Sequence, residues 1–183
     1  MNRIDKTPIV PTITYTATGR TNQDVTATIS FNKSGVTVTP PYEGGQGGSG
    51  WYHTFTGNGS FTFTYQDAYG NNGSEIATVT RIDKISPTCD VSYSPATNTN
   101  GNVVASLTNC SETIIVTNTP NTNYTFTGNG SFTFQFSDPA GNTGSALATV
   151  TRIDASAIQA TISYTPDTAT SGNVQSLISF NKT

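Results

Sequence analysis

Apolar and hydroxyl-bearing residues alternate one for one along most of the chain. Ile13, Tyr15 and Ala17 fall on one parity, as do Val25, Ala27, Ile29 and Phe31, then Val36 and Val38, then Phe61, Phe63 and Tyr65; Thr and Ser fill most of the places between. The pattern returns at Val91 and Tyr93, at Val103, Ala105 and Leu107, at Ile114 and Val116, and at Phe132, Phe134 and Phe136. Successive side chains of a strand point to opposite faces, so a period of two marks half-buried strands. About seven short strands in about 75 residues, bounded by Gly, Asn and Pro, predict an all-β two-sheet sandwich. No stretch carries a helical period.

The alternation is itself repeated. "RID" recurs at Arg3, Arg81 and Arg152, a spacing of 78 residues and then 71. The 32 residues from Arg3 and the 32 from Arg152 share 15 positions, and residues 54–83 match residues 125–154 at 22 of 30. The difference in spacing is an insertion, "PPYEGGQGGSGW", where the second copy has only "NTPNTN". The expected organisation is a first repeat over 1–80 with a Gly-rich aromatic insertion at 40–52, a second over 81–151, and the first two strands of a third over 152–183. Such units bury their own cores and touch mainly their neighbours. The isolated third hairpin cannot bury Ile162, Tyr164, Val174, Ile178 and Phe180 by itself. Either a longer array continues beyond it, or it docks on a neighbouring chain by strand addition or exchange.

"FTGNGSFTF" stands at residues 55–63 and again at 126–134. A two-residue hairpin at Asn58-Gly59 would put Phe55 and Phe61 on opposite faces and leave one ring in water. A corner carrying the chain between sheets, or a three-residue link, keeps both inside; the corner is the favoured reading.

Composition narrows the function classes. Thr accounts for 35 of 183 residues while charged residues make up 10%, well below the roughly 25% usual in soluble domains, so the surface is neutral and hydroxyl-rich. The net charge of -3, with 8 scattered Lys and Arg, supplies no basic stripe, and nucleic acid is not an expected partner. No apolar run reaches the roughly 20 residues of a membrane span, so no membrane insertion is expected in this segment, and the first residues have no signal-peptide core. His53 is the only histidine, and no base and orienting carboxylate gather around a nucleophile, so no enzyme is expected.

Cys89 and Cys110 are the only cysteines. They fall on the first and second strands expected of the second repeat, with their midpoint in the turn "NTNGNV" between, which would set them opposite each other and allow a disulfide if the Cα atoms approach within about 4.4–6.8 Å; two free thiols are the alternative. A closed loop of about 22 residues would be stabilised by about 3 kcal/mol outside a reducing compartment.

"YTFTGNGSFTFQFSDPAGNTGSALATVTRID" resembles the last two strands of bacterial immunoglobulin-like repeats in very long surface proteins and adhesins, where an aromatic-x-aromatic strand runs into D-x-x-G-N. The wording is especially similar to giant repeat proteins of Candidate Phyla Radiation bacteria. The resemblance covers both full repeats, and the last 32 residues match the family's first two strands. It implies tandem immunoglobulin-like sandwiches, an extracellular location on the cell surface, and a stalk, filament or adhesin role. The expected partners are neighbouring repeats, copies of the same protein, or a host-cell glycan or protein. The insertion in the first repeat and the cysteine pair in the second depart from the simplest family pattern.

Three further features carry candidate chemistry. Asp67 and Asp138 open turns closed by Asn71 and Asn142, where a short carboxylate caps backbone N–H groups. Calcium is the minor reading of these turns, because each offers one carboxylate and the ion takes six or more oxygens. The junction residues Asp5, Asp83 and Asp154 would add others on that reading, as in cadherin-like arrays, but each follows an Arg by two positions and the first two precede a Lys. No cofactor is therefore expected. Lys33 and Lys182 hold matching positions and read as solvated lysines rather than as partners in a Lys–Asn cross-link. The insertion offers Tyr42, Trp51 and Tyr52 as aromatic anchors for a glycan or protein, the alternative being that Trp51 packs inward.

Overall fold

The structure, a computed structural model, describes residues 5–44 and 50–182. The chain is all-β, built of several small antiparallel sheets, with no helix among the described residues. The first segment contributes β1 (Pro11–Tyr15), β2 (Val25–Phe31), β3 (Val36–Thr39), β4 (Glu43–Gly44), β5 (Trp51–Phe55), β6 (Gly59–Asp67) and β7 (Asn72–Val79). One sheet has the order β1-β2-β5-β4 and another β3-β6-β7. Val25, Ala27, Ile29 and Phe55 of the first sheet join Val36, Val38, Phe63, Tyr65, Ala77 and Val79 of the second in one buried cluster. The alternation is the cause: every second residue of β2, β3 and β6 turns into this cluster, while the Thr residues between face outward, where β-branched side chains still suit an extended backbone. Burial of a ring such as Phe63, fully enclosed here, contributes about 2–3 kcal/mol.

The repeated "FTGNGSFTF" is a corner. Phe55 pairs with Val25 in one sheet, whereas Gly59 pairs with Val79 in the other. Phe55 and Phe63 are buried, and Phe61, partly buried, stacks on His53 with ring centroids 4.0 Å apart.

The second segment has β8 (Asp90–Ser94), β9 (Val103–Thr108), β10 (Ile115–Val116), β11 (Asn123–Phe126), β12 (Gly130–Ser137) and β13 (Thr143–Val150). Its sheets run β8-β9-β11 and β10-β12-β13 and enclose a separate cluster centred on Val103, Phe126, Phe134, Phe136, Ala148 and Val150. Six strands form here rather than about seven, because β4 lies in the insertion that this segment lacks. Tyr124 takes the place of His53 and stacks on Phe132 at 3.9 Å. β14 (Ala160–Thr165) and β15 (Gln175–Phe180) form a hairpin whose residues are all exposed.

Candidate functional site

The three letters of "RID" have separate tasks at the join between segments. Arg81 lays its guanidinium over the Tyr15 ring, 4.7 Å from the centroid, and the Tyr15 hydroxyl accepts the Thr78 N–H at 3.1 Å. Ile82 plugs into the first cluster. Its backbone is clamped by the corner asparagine: Asn58 Nδ2 donates to the Ile82 carbonyl at 2.9 Å, and Asn58 Oδ1 accepts the Ile82 N–H at 2.8 Å. Asp83 belongs to the next segment, where its carbonyl accepts Asn142 Nδ2 at 2.9 Å. A short parallel bridge between Thr21 and Ile82 adds two backbone bonds, and Asn22 N–H reaches the Ala140 carbonyl at 3.0 Å. The second copy repeats the device: Arg152 lies over Tyr93 at 4.8 Å, Asn129 clamps Ile153 at 2.9 and 2.8 Å, and Thr99 bridges Ile153. Sequence reasoning missed Asn58 and Asn129. The signal was available, since each Asn lies in the letter-for-letter stretch and precedes its Ile by 24 residues.

The Asp turns close on themselves as a short carboxylate should. Asp67 Oδ1 accepts the Tyr69 and Asn71 N–H groups at 2.9 and 3.0 Å, and Oδ2 accepts Asn71 Nδ2 at 2.8 Å. Asp138 repeats this with Ala140 and Asn142 at 2.7–2.9 Å. Lys33 is not a solvated lysine. Its ammonium lies 2.7 Å from Asp5 and 2.8 Å from Asp67, with its side chain 15% exposed, because β2 ends beside both the entering chain and the β6–β7 turn. Asn71 and Lys33 hold the Asp67 carboxyl well below the usual carboxylate range, and Lys33 holds Asp5 down to about 2.

Both carboxyls are depressed in the folded state, so their stabilisation is complete above the unfolded value near 4 and is lost as pH falls toward 2. Lys33→Gln should therefore move the acid-unfolding midpoint of the first segment to higher pH, as followed by circular dichroism between pH 7 and 2. An unchanged midpoint would show that Lys33 does not hold these carboxylates.

In the second segment the same place is built differently. Cys89 and Cys110 are joined in a disulfide, with Cα atoms 4.0 Å apart, somewhat closer than the expected range. Both cysteines flank the strands rather than lying on them. The β8–β9 register pairs Asp90 with Thr108, so an unbroken ladder would put Cys89 opposite Asn109. Asn109 instead adopts a left-handed backbone, φ 48°, and forms a one-residue bulge that brings Cys110 across. Everything after the bulge is advanced by one. Ser111 Oγ accepts the Thr88 N–H and Ser111 N–H donates to the Thr88 carbonyl, the bonds that Asn32 makes with Val10 in the first segment and Asn181 with Gln159 in the third. Glu112 then stands where Lys33 and Lys182 stand. Asp83, Glu112 and Asp138 consequently bring one carboxylate oxygen each to within 4.8 Å of one another. Burial, then the charges of Asp138 and Asp83, push the Glu112 carboxyl up against the opposing effect of Arg20. Burial also works against ionised Asp138, but its bonds from Asn142, Gly141 and Ala140 outweigh this and keep it low. The turn itself still offers one carboxylate, Asp138; the other two come from the junction, Asp83, and from the end of the second strand, Glu112.

Of the insertion at 40–52, residues 45–49 lie outside the described residues. Tyr42 and Trp51 pack against the first cluster, and Trp51 meets Phe31 edge-on with centroids 5.9 Å apart. Tyr52 is partly buried and covers Gly44, where a Cβ would meet its ring at 2.3 Å. The three aromatics are not gathered on one face, because Trp51 and Tyr52 are successive residues of β5. Comparison with protein-family models, curated proteins and solved structures finds no match.

Proposed function

We propose that this chain is a structural, adhesive segment of an extracellular bacterial surface protein, a stalk or filament made of tandem immunoglobulin-like sandwich repeats and acting through reach and adhesion rather than catalysis. The observation that carries the reading is the "RID" junction. Arg81 and Ile82 are fastened into one segment and Asp83 into the next, so consecutive units share a peptide bonded on both sides. The strand orders β1-β2-β5-β4 and β3-β6-β7 around one core support the immunoglobulin-like part, being the order of seven-stranded immunoglobulin sandwiches. Separate clusters in successive segments support modular growth.

The exposed hairpin supports self-assembly. Val174 and Ile178 are 52% and 54% exposed, whereas their counterparts Val25 and Ile29 are enclosed by the β3-β6-β7 sheet. On this reading a sheet of that kind, from the same or a neighbouring molecule, covers the β14–β15 face. Light scattering across a concentration series tests it: the chain should associate, and Ile178→Asp should keep it monomeric. A wild-type chain that stays monomeric at high concentration sinks the assembly part. On a glycan array neither wild type nor Trp51→Ala should bind, since Trp51 serves the core. Binding by wild type that Trp51→Ala abolishes would favour an adhesin module instead.

A further inference from the structure

We infer that Asn58 and Asn129 are latent sites of hydrolytic deamidation, shielded while each join is closed, so that a join held open is converted chemically and does not reclose. Each asparagine precedes a glycine, Gly59 and Gly130, in the letter-for-letter stretch. The fold does not require glycine at either place: neither residue takes a left-handed backbone, and a Cβ on either would meet nothing within 4 Å. The missing side chain instead leaves the glycine nitrogen open to the side-chain amide before it.

In the reaction the Gly59 nitrogen attacks Asn58 Cγ. A C–N bond forms, the proton of that nitrogen passes through water to the departing amide, and ammonia leaves behind a five-membered succinimide. Water then opens the ring at one of its two carbonyls, giving either aspartate or an isoaspartate whose main chain is one methylene longer. One water is exchanged for one ammonia, and no oxidant or other reagent takes part.

The closed join opposes the first step in two ways. Both polar atoms of the Asn58 amide are bound to the Ile82 peptide, at 2.9 and 2.8 Å, and Gly59 is held at the start of β6 opposite Val79. Attack requires the side chain to swing off Ile82. Asn129 and Gly130 are held in the same way by Ile153 and opposite Val150. Both asparagines lie on the exposed corner, so water reaches them as soon as the clamp releases. The product cannot remake the clamp. A carboxylate accepts hydrogen bonds but donates none, so the Ile82 carbonyl loses its donor, and isoaspartate also displaces the corner.

The test incubates the full chain at mildly alkaline pH, native and in denaturant, and reads each site by peptide mass, where a gain of one mass unit marks conversion. Native wild type should convert Asn58 and Asn129 at least about tenfold more slowly than the denatured chain. Ile82→Pro removes the N–H that Asn58 accepts and should speed Asn58 about tenfold or more while Asn129 stays slow. Gly59→Ala should slow Asn58 even in denaturant. For the consequence, Asn58→Asp stands in for the converted chain, and trypsin should cut it after Arg81 about tenfold faster than wild type. Equal rates at Asn58 in native and denatured wild type, an Asn58 that stays slow in Ile82→Pro or fast in Gly59→Ala, or an Asn58→Asp chain as resistant at Arg81 as wild type, overturns the inference.

Discussion

Phe134→Ala should unfold the second segment at a temperature where the first remains folded, at a cost of about 3–5 kcal/mol. The ring is completely enclosed. It sits at the centre of a cluster drawn from both sheets of that segment and meets Phe132 edge-on, with centroids 5.0 Å apart. No small rearrangement of the neighbouring Val and Ala side chains refills such a volume, so the lost contacts are compounded by a cavity. A unit of this size has about 5–15 kcal/mol of stability in all. Calorimetry should therefore show two transitions, one near its original temperature and one lower by about 15 °C or more. A single transition that moves as a whole would mean that the two clusters fold as one.

Reducing the Cys89–Cys110 bond should destabilise the second segment by about 3 kcal/mol and leave the first unchanged. The bond closes a loop with a sequence separation of 21, and its main action is to restrict the unfolded chain. The structural counterparts in the first segment are Pro11 and Phe31, which pair across the strands without a cross-link; the bond is a local addition to a fold that forms without it. Melts with and without reductant, alongside Cys89→Ala with Cys110→Ala, check this. The double variant should match reduced wild type, and a melt indifferent to reductant would contradict the claim.

The strands were legible in the sequence because a period of two has one physical cause, burial on one side of a sheet. The corner at residues 55–63 followed from the same parity. The cysteine pairing was legible as proximity, but its register was not. Counting from the midpoint gives the right neighbours for the wrong reason, since the backbone conformation of Asn109 closes the one-residue gap. That bulge also hid the most unusual carboxylate cluster: linear alignment sets Ser111 against Lys33, and only the hydrogen bonds to Thr88 reveal Glu112 as its counterpart. Lys33 read as solvated because the two aspartates that hold it lie 28 and 34 residues away. The aromatic insertion suggested a binding surface because composition does not say which way a side chain points. The ring contact between Trp51 and Phe31 does.

The central claim is that the "RID" peptide fastens consecutive segments into one stiff body. Residual dipolar couplings of the backbone amides test it most directly, since each rigid body reports its own alignment. The account predicts that couplings from residues 11–79 and 90–150 fit one shared alignment tensor, and that Asn58→Ala, by freeing the Ile82 backbone, splits it into two. Two tensors of different magnitude in the unaltered protein would contradict it.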